Sequence, residues 1–166
     1  MIFIDCNKAS ELILGTNREG IIGKESKDIS PEYQPNGRKS DELVQEVVAE
    51  AFANKTTQFE WVHLKPDGTP VYIDIKLSAI DTLDEKFLLT TWRDITSQRE
   101  AKELINKLSS AVEQSPISIF ITDLDGNIEY VNPFTITTTG YQQEELIGQN
   151  PRILKSGFTN PKVYDE

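Results

Sequence analysis

Residues 71–77 read Val-Tyr-Ile-Asp-Ile-Lys-Leu, and every odd-numbered position in this stretch is apolar. An alternation with period two predicts a β-strand that buries one face. Residues 59–64 precede this strand and are joined to it by Lys65-Pro66-Asp67-Gly68, a sequence typical of a tight turn. A further strand is predicted at 87–93, after a short polar turn at 81–86. The sequence therefore predicts an antiparallel β-meander.

Helical patterns flank this meander. From Ser40 onward the apolar residues recur at helical spacing, which predicts an amphipathic helix covering the sheet. These residues are Leu43, Val44, Val47, Val48, Ala51 and Phe52. A short helix is predicted between Asn7 and Gly15, whereas residues 24–39 contain two prolines and indicate a loop or short turns.

A long polar helix is predicted after the meander. Ser97, with Glu100 three residues later, matches a capping box and predicts the start of the helix. A narrow apolar stripe then follows, before Pro116, at Ala101, Leu104, Ile105, Leu108, Ala111 and Val112. A stripe of this width suits a seam between two helices, although it is shorter than the roughly three heptads that indicate a coiled coil.

Composition excludes several classes of function. The 166 residues contain 17 Lys+Arg and 27 Asp+Glu, so the formal net charge is -10, which disfavours nucleic acid and anionic membranes as partners. Cys6 and His63 are the only residues of their types, which excludes a disulfide framework and a zinc cluster and fits a reducing compartment. No apolar run reaches the ~20 residues of a membrane helix, and residues 1–5 do not resemble a signal peptide.

Residue types near the start of the chain recur near its end. Asn132, Gly140, Glu144, Ile147 and Gly148 each lie 125 positions after an identical residue, namely Asn7, Gly15, Glu19, Ile22 and Gly23. A single long offset predicts two copies of one domain type rather than a solenoid. The second copy begins with a predicted hairpin, in which strands 119–123 and 128–131 flank the turn 124–127.

The offset also predicts that both copies are incomplete. The equivalent of strand 119–123 would precede Met1, and residue 166 corresponds to Asp41 of the first copy. We therefore expect a first domain at 1–95 that lacks its first strand, a connector helix at 96–115, and the N-terminal half of a second domain at 116–166. One hypothesis is that the hairpin 119–131 fills the gap in the first copy, within one chain or by exchange between two chains.

These residues resemble the PAS family, the sensory domains of bacterial signalling proteins. In the first copy the similar motifs are Asn7-Lys8-Ala9, Gly15, Glu19–Gly23, the Asp67-Gly68 turn and Trp92-Arg-Asp-Ile-Thr96. In the second copy they are Val131-Asn-Pro133 and Gly140–Gly148. The ordered set covers nearly the whole chain.

The resemblance implies an α+β fold with a five-stranded antiparallel sheet, in the spatial order second-first-fifth-fourth-third, flanked by helices over a small pocket. It also implies a non-catalytic, cytoplasmic sensor of a small molecule or cofactor within a histidine kinase or a cyclic-dinucleotide enzyme. The signal would pass through the connector, for which Asp94, Thr96, Leu104 and Leu108 are the candidate residues. A homodimer is expected, and the alternative function is a ligand-free dimerisation module whose exposed sheet aromatics meet a partner.

Four meander residues are candidates for a ligand pocket. Trp61, His63, Tyr72 and Trp92 could line it, with His63 as a polar anchor. The alternative is that the tryptophans belong to the core or to a dimer surface and that His63 is satisfied locally. Because His63 is predicted on a strand, it is a poor candidate for a phospho-accepting histidine.

Residues 148–157 are similar to a segment of flavin-binding PAS domains. In the light-sensing subgroup a cysteine follows the asparagine, but here Pro151 follows Asn150, so a cysteine adduct is excluded at this position. The cofactor is otherwise unspecified, and a flavin is possible in a complete second copy. Asn150 and Arg152 are candidate ligand-binding residues, and the alternative is that they hold the loop.

No catalytic or metal site is predicted. Cys6 is expected to be a small core filler rather than a redox sensor, because no cationic pattern near it would lower its pKa. Asp5, Asp94 and Asp123 are carboxylates without a paired spacing. An enzyme function lacks a nucleophile with a base, and it also lacks a phosphate-binding loop.

Overall fold

The computed structural model describes residues 2–82 and 85–155 of the chain. Leu83 and Asp84 of the predicted turn 81–86, and Ser156 and Gly157 of the flavin-like segment, lie outside the described residues. The chain divides into two compact units, Met1–Ala101 (unit 1) and Lys102–Glu166 (unit 2). This division falls within the long helix that leaves the meander.

The sheet of unit 1 is the predicted meander. Strands β1 (Thr56–Leu64), β2 (Pro70–Asp81) and β3 (Lys86–Asp94) are antiparallel, and β2 lies in the centre. The alternating face predicted for β2 is confirmed, because Val71, Ile73, Ile75 and Leu77 are each at most 4% exposed. These four side chains form the middle of the unit 1 core.

Helices cover the buried face of this sheet, as the apolar spacing predicts. Helix α1 (Lys8–Leu14) begins at Asn7, whose side chain accepts a hydrogen bond from the Ser10 amide. Helix α2 (Ser40–Asn54) places Ala51 in the core with no exposed surface. Unit 1 also contains short 3₁₀ helices at Arg18–Gly20 and Ser26–Ile29. The second of these agrees with the short turns expected between Lys24 and Lys39.

Helix α3 (Thr96–Glu113) follows β3 after a single residue. The connector helix was predicted at 96–115, and α3 begins at Thr96. The capping contact differs from the predicted capping box of Ser97, because the Asp94 carboxylate accepts a hydrogen bond from the Thr96 amide at 2.8 Å. The stripe positions Leu104, Ile105 and Leu108 are between 57% and 65% exposed. Among its described residues α3 therefore has an apolar face without cover.

Unit 2 is smaller. It contains the hairpin strands β4 (Phe120–Thr122) and β5 (Ile128–Val131), then helices α4 (Pro133–Thr139) and α5 (Gln143–Leu146), and a 3₁₀ helix at Pro151–Leu154. The predicted hairpin is confirmed, with a shorter first strand and the predicted bounds for the second. Ile128, Val131 and Leu146 form the core of this unit.

The expectation of one five-stranded sheet is not met by the described residues. They form a three-stranded sheet in unit 1 and a separate two-stranded sheet in unit 2. In unit 1 the segment at the start of the chain contributes only an isolated bridge between Ile2 and Glu25, and β3 pairs with β2 alone. The α+β class with an antiparallel sheet and flanking helices is as predicted. Within the described residues no helix has both the length and the apolar character needed to cross a membrane.

Among the described residues of unit 2, Asn132 has the most heavily hydrogen-bonded side chain, and it is completely buried. Its Oδ1 accepts hydrogen bonds from the Ile119 amide at 3.0 Å and from both the amide and the hydroxyl of Thr135. Its Nδ2 donates to the carbonyl oxygens of Val112 at 3.2 Å and Ile117 at 3.0 Å. One amide thus ties the end of α3, the start of β4 and the start of α4 together.

We expect Asn132→Ala to destabilise unit 2 by about 2–4 kcal/mol, because several buried backbone groups lose their partner at once. Asn7→Ala is the matched control, since Asn7 caps α1 at an exposed position and its loss should cost about 1 kcal/mol. Hydrogen exchange measures the local free energy of opening, at the Ile119 and Thr135 amides for Asn132→Ala and at the Ser10 amide for Asn7→Ala. Equal effects of the two substitutions would contradict this assignment.

Candidate functional site

Three of the four predicted pocket residues form one aromatic cluster in unit 1. The His63 ring centroid lies 5.0 Å from that of Trp92 and 6.5 Å from that of Trp61. Phe3 contacts Trp92 edge-on at 5.8 Å between centroids. Because Trp61 is 4% and His63 1% exposed, these rings are part of the core.

Local hydrogen bonds satisfy His63. Its Nδ1 lies 3.2 Å from the Ile29 carbonyl oxygen and 3.0 Å from the hydroxyl of Ser30. The Ser30 hydroxyl donates to the Ser26 carbonyl and accepts from Trp61 Nε1, so both neighbours act as acceptors toward Nδ1 and assign the ring proton to that nitrogen. Burial lowers the pKa of His63 to about 4, and the ring is neutral at pH 7. This geometry matches the alternative in which His63 is a core residue.

Trp92 has an unsatisfied donor. Its Nε1 is buried and has no hydrogen-bond partner in the described part of the chain. A buried donor without a partner costs about 1–3 kcal/mol, so native structures rarely retain one without a reason. Trp92 also lines a cavity of about 780 Å³ beside residues 2–7.

Tyr72 and Trp61 line a different, smaller cavity of about 260 Å³. Arg99, from the first turns of α3, lies against this cavity with its guanidinium 4.7 Å above the centre of the Tyr72 ring. Arg99 Nη1 also donates to Glu60 Oε2 at 2.7 Å. Of the four predicted residues, Tyr72 and Trp61 line the smaller cavity, Trp92 lines the larger one, and His63 lies in the core. Arg99 also lines the smaller cavity, and the sequence analysis did not predict it.

The start of α3 is fastened to the backbone of Tyr72. The Tyr72 amide donates to the Thr96 hydroxyl at 3.0 Å, and its carbonyl accepts from the Ile95 amide at 2.9 Å. Of the predicted connector residues, Asp94 and Thr96 thus lie at this anchor, whereas Leu104 and Leu108 lie on the exposed stripe. Tyr72 of β2 thus both lines the 260 Å³ cavity and anchors the start of α3.

Asn150 holds a loop in unit 2. Its Oδ1 accepts from the Arg152 amide and its Nδ2 donates to the Gly126 carbonyl, both at 3.1 Å. Both polar atoms of the Asn150 amide are therefore engaged within the loop, and the Arg152 residue is exposed. This is the geometry of the alternative in which these residues hold the loop. Ligand binding by Asn150 and Arg152 stays a prediction.

The remaining candidate residues have structural contacts. Cys6 is half-buried and packs against the unit 1 core. Asp5 forms an ion pair with Arg18 at 2.6 Å, and this guanidinium lowers the pKa of the Asp5 carboxyl. Asp123 accepts hydrogen bonds from Asn127 within the hairpin turn, and these lower its pKa. The described contacts give these carboxylates no shared site.

Unit 1 is thus an α+β domain with an antiparallel sheet covered by helices, and a following helix is fastened to its central strand. Two family models match the chain, one described as a PAS domain over residues 1–97 and one described as a PAS fold over residues 106–159. The chain belongs to the PAS family of sensory domains.

Similar proteins include a curated relative and two solved structures. The nitrogen fixation regulatory protein of Klebsiella pneumoniae is 44% identical over 55 residues, which cover 33% of this chain and 11% of that protein. A PAS domain from Colwellia psychrerythraea is 24% identical and covers 58% of this chain and 79% of its own, with a TM-score of 0.49. A blue-light activated histidine kinase of Erythrobacter litoralis is 18% identical and covers 64% and 35%, with a TM-score of 0.42.

The depressed pKa of His63 predicts a pH-dependent stability. The unfolded chain binds a proton at His63 below pH 6.5, whereas the folded chain does so only near pH 4, so stability falls as the pH falls. Between pH 7 and pH 5 the free energy of unfolding should drop by about 2 kcal/mol. Urea unfolding followed by tryptophan fluorescence measures this change. The His63→Asn variant should lose this pH dependence. If its free energy of unfolding still falls by the same amount between pH 7 and pH 5, the titrating group is not His63.

The anchor of α3 predicts a difference between two conservative substitutions. Thr96→Val removes the acceptor for the half-buried Tyr72 amide and should destabilise unit 1 by about 1–2 kcal/mol. Thr96→Ser retains the hydroxyl and should cost less than about 0.5 kcal/mol. Urea unfolding of unit 1 gives both values. Equal losses would show that the methyl group, rather than the hydrogen bond, is what matters at this position.

Proposed function

We propose that this chain is a sensory, non-catalytic segment of a cytoplasmic bacterial signal-transduction protein, of the histidine kinase or cyclic-dinucleotide enzyme kind. In this proposal a small molecule binds unit 1, and α3 carries the response to an output domain. The kinship with the regulatory protein of Klebsiella pneumoniae supports a regulatory role. The kind of output domain, a histidine kinase or a cyclic-dinucleotide enzyme, is proposed from the family resemblance.

The observation that carries the proposal is the position of Arg99. This residue belongs to α3 and lines the 260 Å³ cavity together with Tyr72 and Trp61. A molecule in this cavity would contact the connector helix directly, without an intermediate element. The polar residues that line this cavity are Arg99, Glu60, Tyr72, Gln34 and Asn36.

The energetics of Arg99 favour a switch. Its ion pair with Glu60 joins side chains that are 35% and 62% exposed, so the pair is worth less than about 1 kcal/mol. The contact with the Tyr72 ring adds a similar amount. A ligand carbonyl or carboxylate can therefore displace Glu60 at small cost and change how the first turns of α3 lie on β2.

The stripe on α3 supports a homodimer. Leu104, Ile105 and Leu108 are exposed on one face, and pairing this face with a second copy would bury it. The second candidate function, a ligand-free dimerisation module, rests on the same stripe. A dimerisation module that meets its partner through exposed aromatic residues of the sheet is not favoured, because Trp61 is buried and Tyr72 and Trp92 are half-buried.

Native mass spectrometry of the purified chain, with a denatured control, tests both functions. We expect a dimer that retains additional non-covalent mass. Leu108→Glu should convert the dimer to monomer because it places a charge in the seam, whereas Asn106→Glu adds the same charge on the opposite side of the helix and should leave the dimer intact. A ligand-free dimer would favour the dimerisation module, and a ligand-free monomer would contradict both proposals.

A further inference from the structure

The 260 Å³ cavity of unit 1 is lined by residues from both faces of β1. Phe59 and Trp61 lie opposite buried residues of β2, so their side chains belong to the inner face of the sheet. Glu60 and Tyr72 occupy the alternate positions and belong to the outer face, where Arg99 of α3 also lies. The cavity therefore has an apolar side toward the core and a charged side toward α3.

Arg99 has hydrogen-bond donors that its protein partner does not use. A guanidinium carries five N–H donors, and the described part of the chain provides Arg99 with one acceptor, Glu60 Oε2, which Nη1 reaches at 2.7 Å. Nη2 and Nε lie side by side on the other edge of the guanidinium, which is a geometry that binds a carboxylate through two parallel hydrogen bonds. The contact with the Tyr72 ring, at 4.7 Å, holds the guanidinium in this orientation.

The charges of the cavity favour a ligand that carries both signs. Arg99 and Glu60 are the charged residues that line it, and together they have no net charge. A purely anionic ligand at Arg99 would lie next to the Glu60 carboxylate, and a purely cationic ligand at Glu60 would lie next to the guanidinium, so each would meet a like charge. A zwitterion whose two charged groups are adjacent meets an opposite charge at each end.

The apolar side of the cavity suits a small hydrocarbon group. Leu43 and Val47 of α2 line this side together with Trp61 and with Pro35 of the loop before α2. The loop is held against β1, because the buried Gln34 side chain bonds both the N–H and the C=O of one β1 residue. A volume of about 260 Å³ lies below the roughly 300–1,000 Å³ of sites for drug-sized ligands, so the ligand is a smaller molecule.

We propose that this cavity binds a free α-amino acid with an apolar side chain. The ligand carboxylate accepts hydrogen bonds from Nη2 and Nε of Arg99, its ammonium group donates to Glu60, and its side chain packs against Val47 and Trp61. One carbon atom joins the two charged groups of an α-amino acid, so they are adjacent, as Arg99 and Glu60 are. The inference rests on the proposed function, because it names the class of small molecule that unit 1 senses.

Isothermal titration calorimetry of the dialysed full chain tests the inference, with L-leucine and L-phenylalanine as probes. Three analogues of leucine are matched controls. The compound 4-methylpentanoate lacks the ammonium group, L-leucinamide lacks the carboxylate, and 6-aminohexanoate has the formula of leucine with its charges at opposite ends. We expect leucine to bind about tenfold or more tightly than each analogue, because each leaves one charged group of the cavity without its partner.

Two substitutions separate the roles of the charged residues. Arg99→Gln should weaken the binding of leucine by about ten- to a hundredfold, because the carboxylate loses its charged donors. Glu60→Gln should weaken leucine by about tenfold and strengthen 4-methylpentanoate, because Arg99 then has no competing carboxylate. Arg93→Gln and Glu100→Gln change the same charges at exposed positions that do not line the cavity, and they should leave both affinities unchanged.

The outcomes distinguish this inference from the proposed function. If 4-methylpentanoate binds as tightly as leucine, if neither amino acid binds, or if Arg99→Gln binds leucine like the unchanged chain, the amino-acid assignment is wrong. A different non-covalent mass that native mass spectrometry finds on the chain before dialysis, and that Arg99→Gln loses, would then still support sensing by this cavity. A chain that retains no mass and binds none of the probes would contradict the inference and the small-molecule function together.

Discussion

The backbone of Tyr72 is the constraint on which the rest of unit 1 depends. The neighbours of Tyr72 along β2, Val71 and Ile73, turn inward and form the centre of the core. The amide and carbonyl of Tyr72 are bonded to Thr96 and Ile95, so the helix that leaves the sheet begins on its central strand. Two hydrogen bonds therefore join the start of α3 to the residue of β2 that also lines the 260 Å³ cavity.

Backbone N–H and C=O groups at the edges of the sheets need hydrogen-bond partners in both units. At the β1 edge Gln34 takes the place of a strand by bonding both polar groups of Val62. In unit 2 Asn132 closes the start of the hairpin with one buried amide. At the β3 edge a cavity of about 780 Å³ lies beside residues 2–7 in the described part of the chain.

Local patterns predicted the fold well because they depend on neighbours along the chain. The alternation in 71–77 defined the buried face of β2, and the helical spacing after Ser40 located α2. The site was predicted less well, because its contacts join distant residues. Arg99 reaches Glu60 across 39 positions, and His63 reaches Ser30 across 33. The hydroxyl of Thr96 likewise accepts a hydrogen bond from the Tyr72 amide, 24 positions away.

Hydrogen exchange at the Ile95 amide tests the central claim most directly. This amide donates to the Tyr72 carbonyl, whereas the Ile73 amide belongs to the core strand. If α3 is fastened to the sheet, both amides open in the same event, and their protection factors should agree within about tenfold. Protection of Ile95 that is roughly a hundredfold or more below that of Ile73 would show that the helix detaches while the sheet stays folded, and it would contradict the coupling.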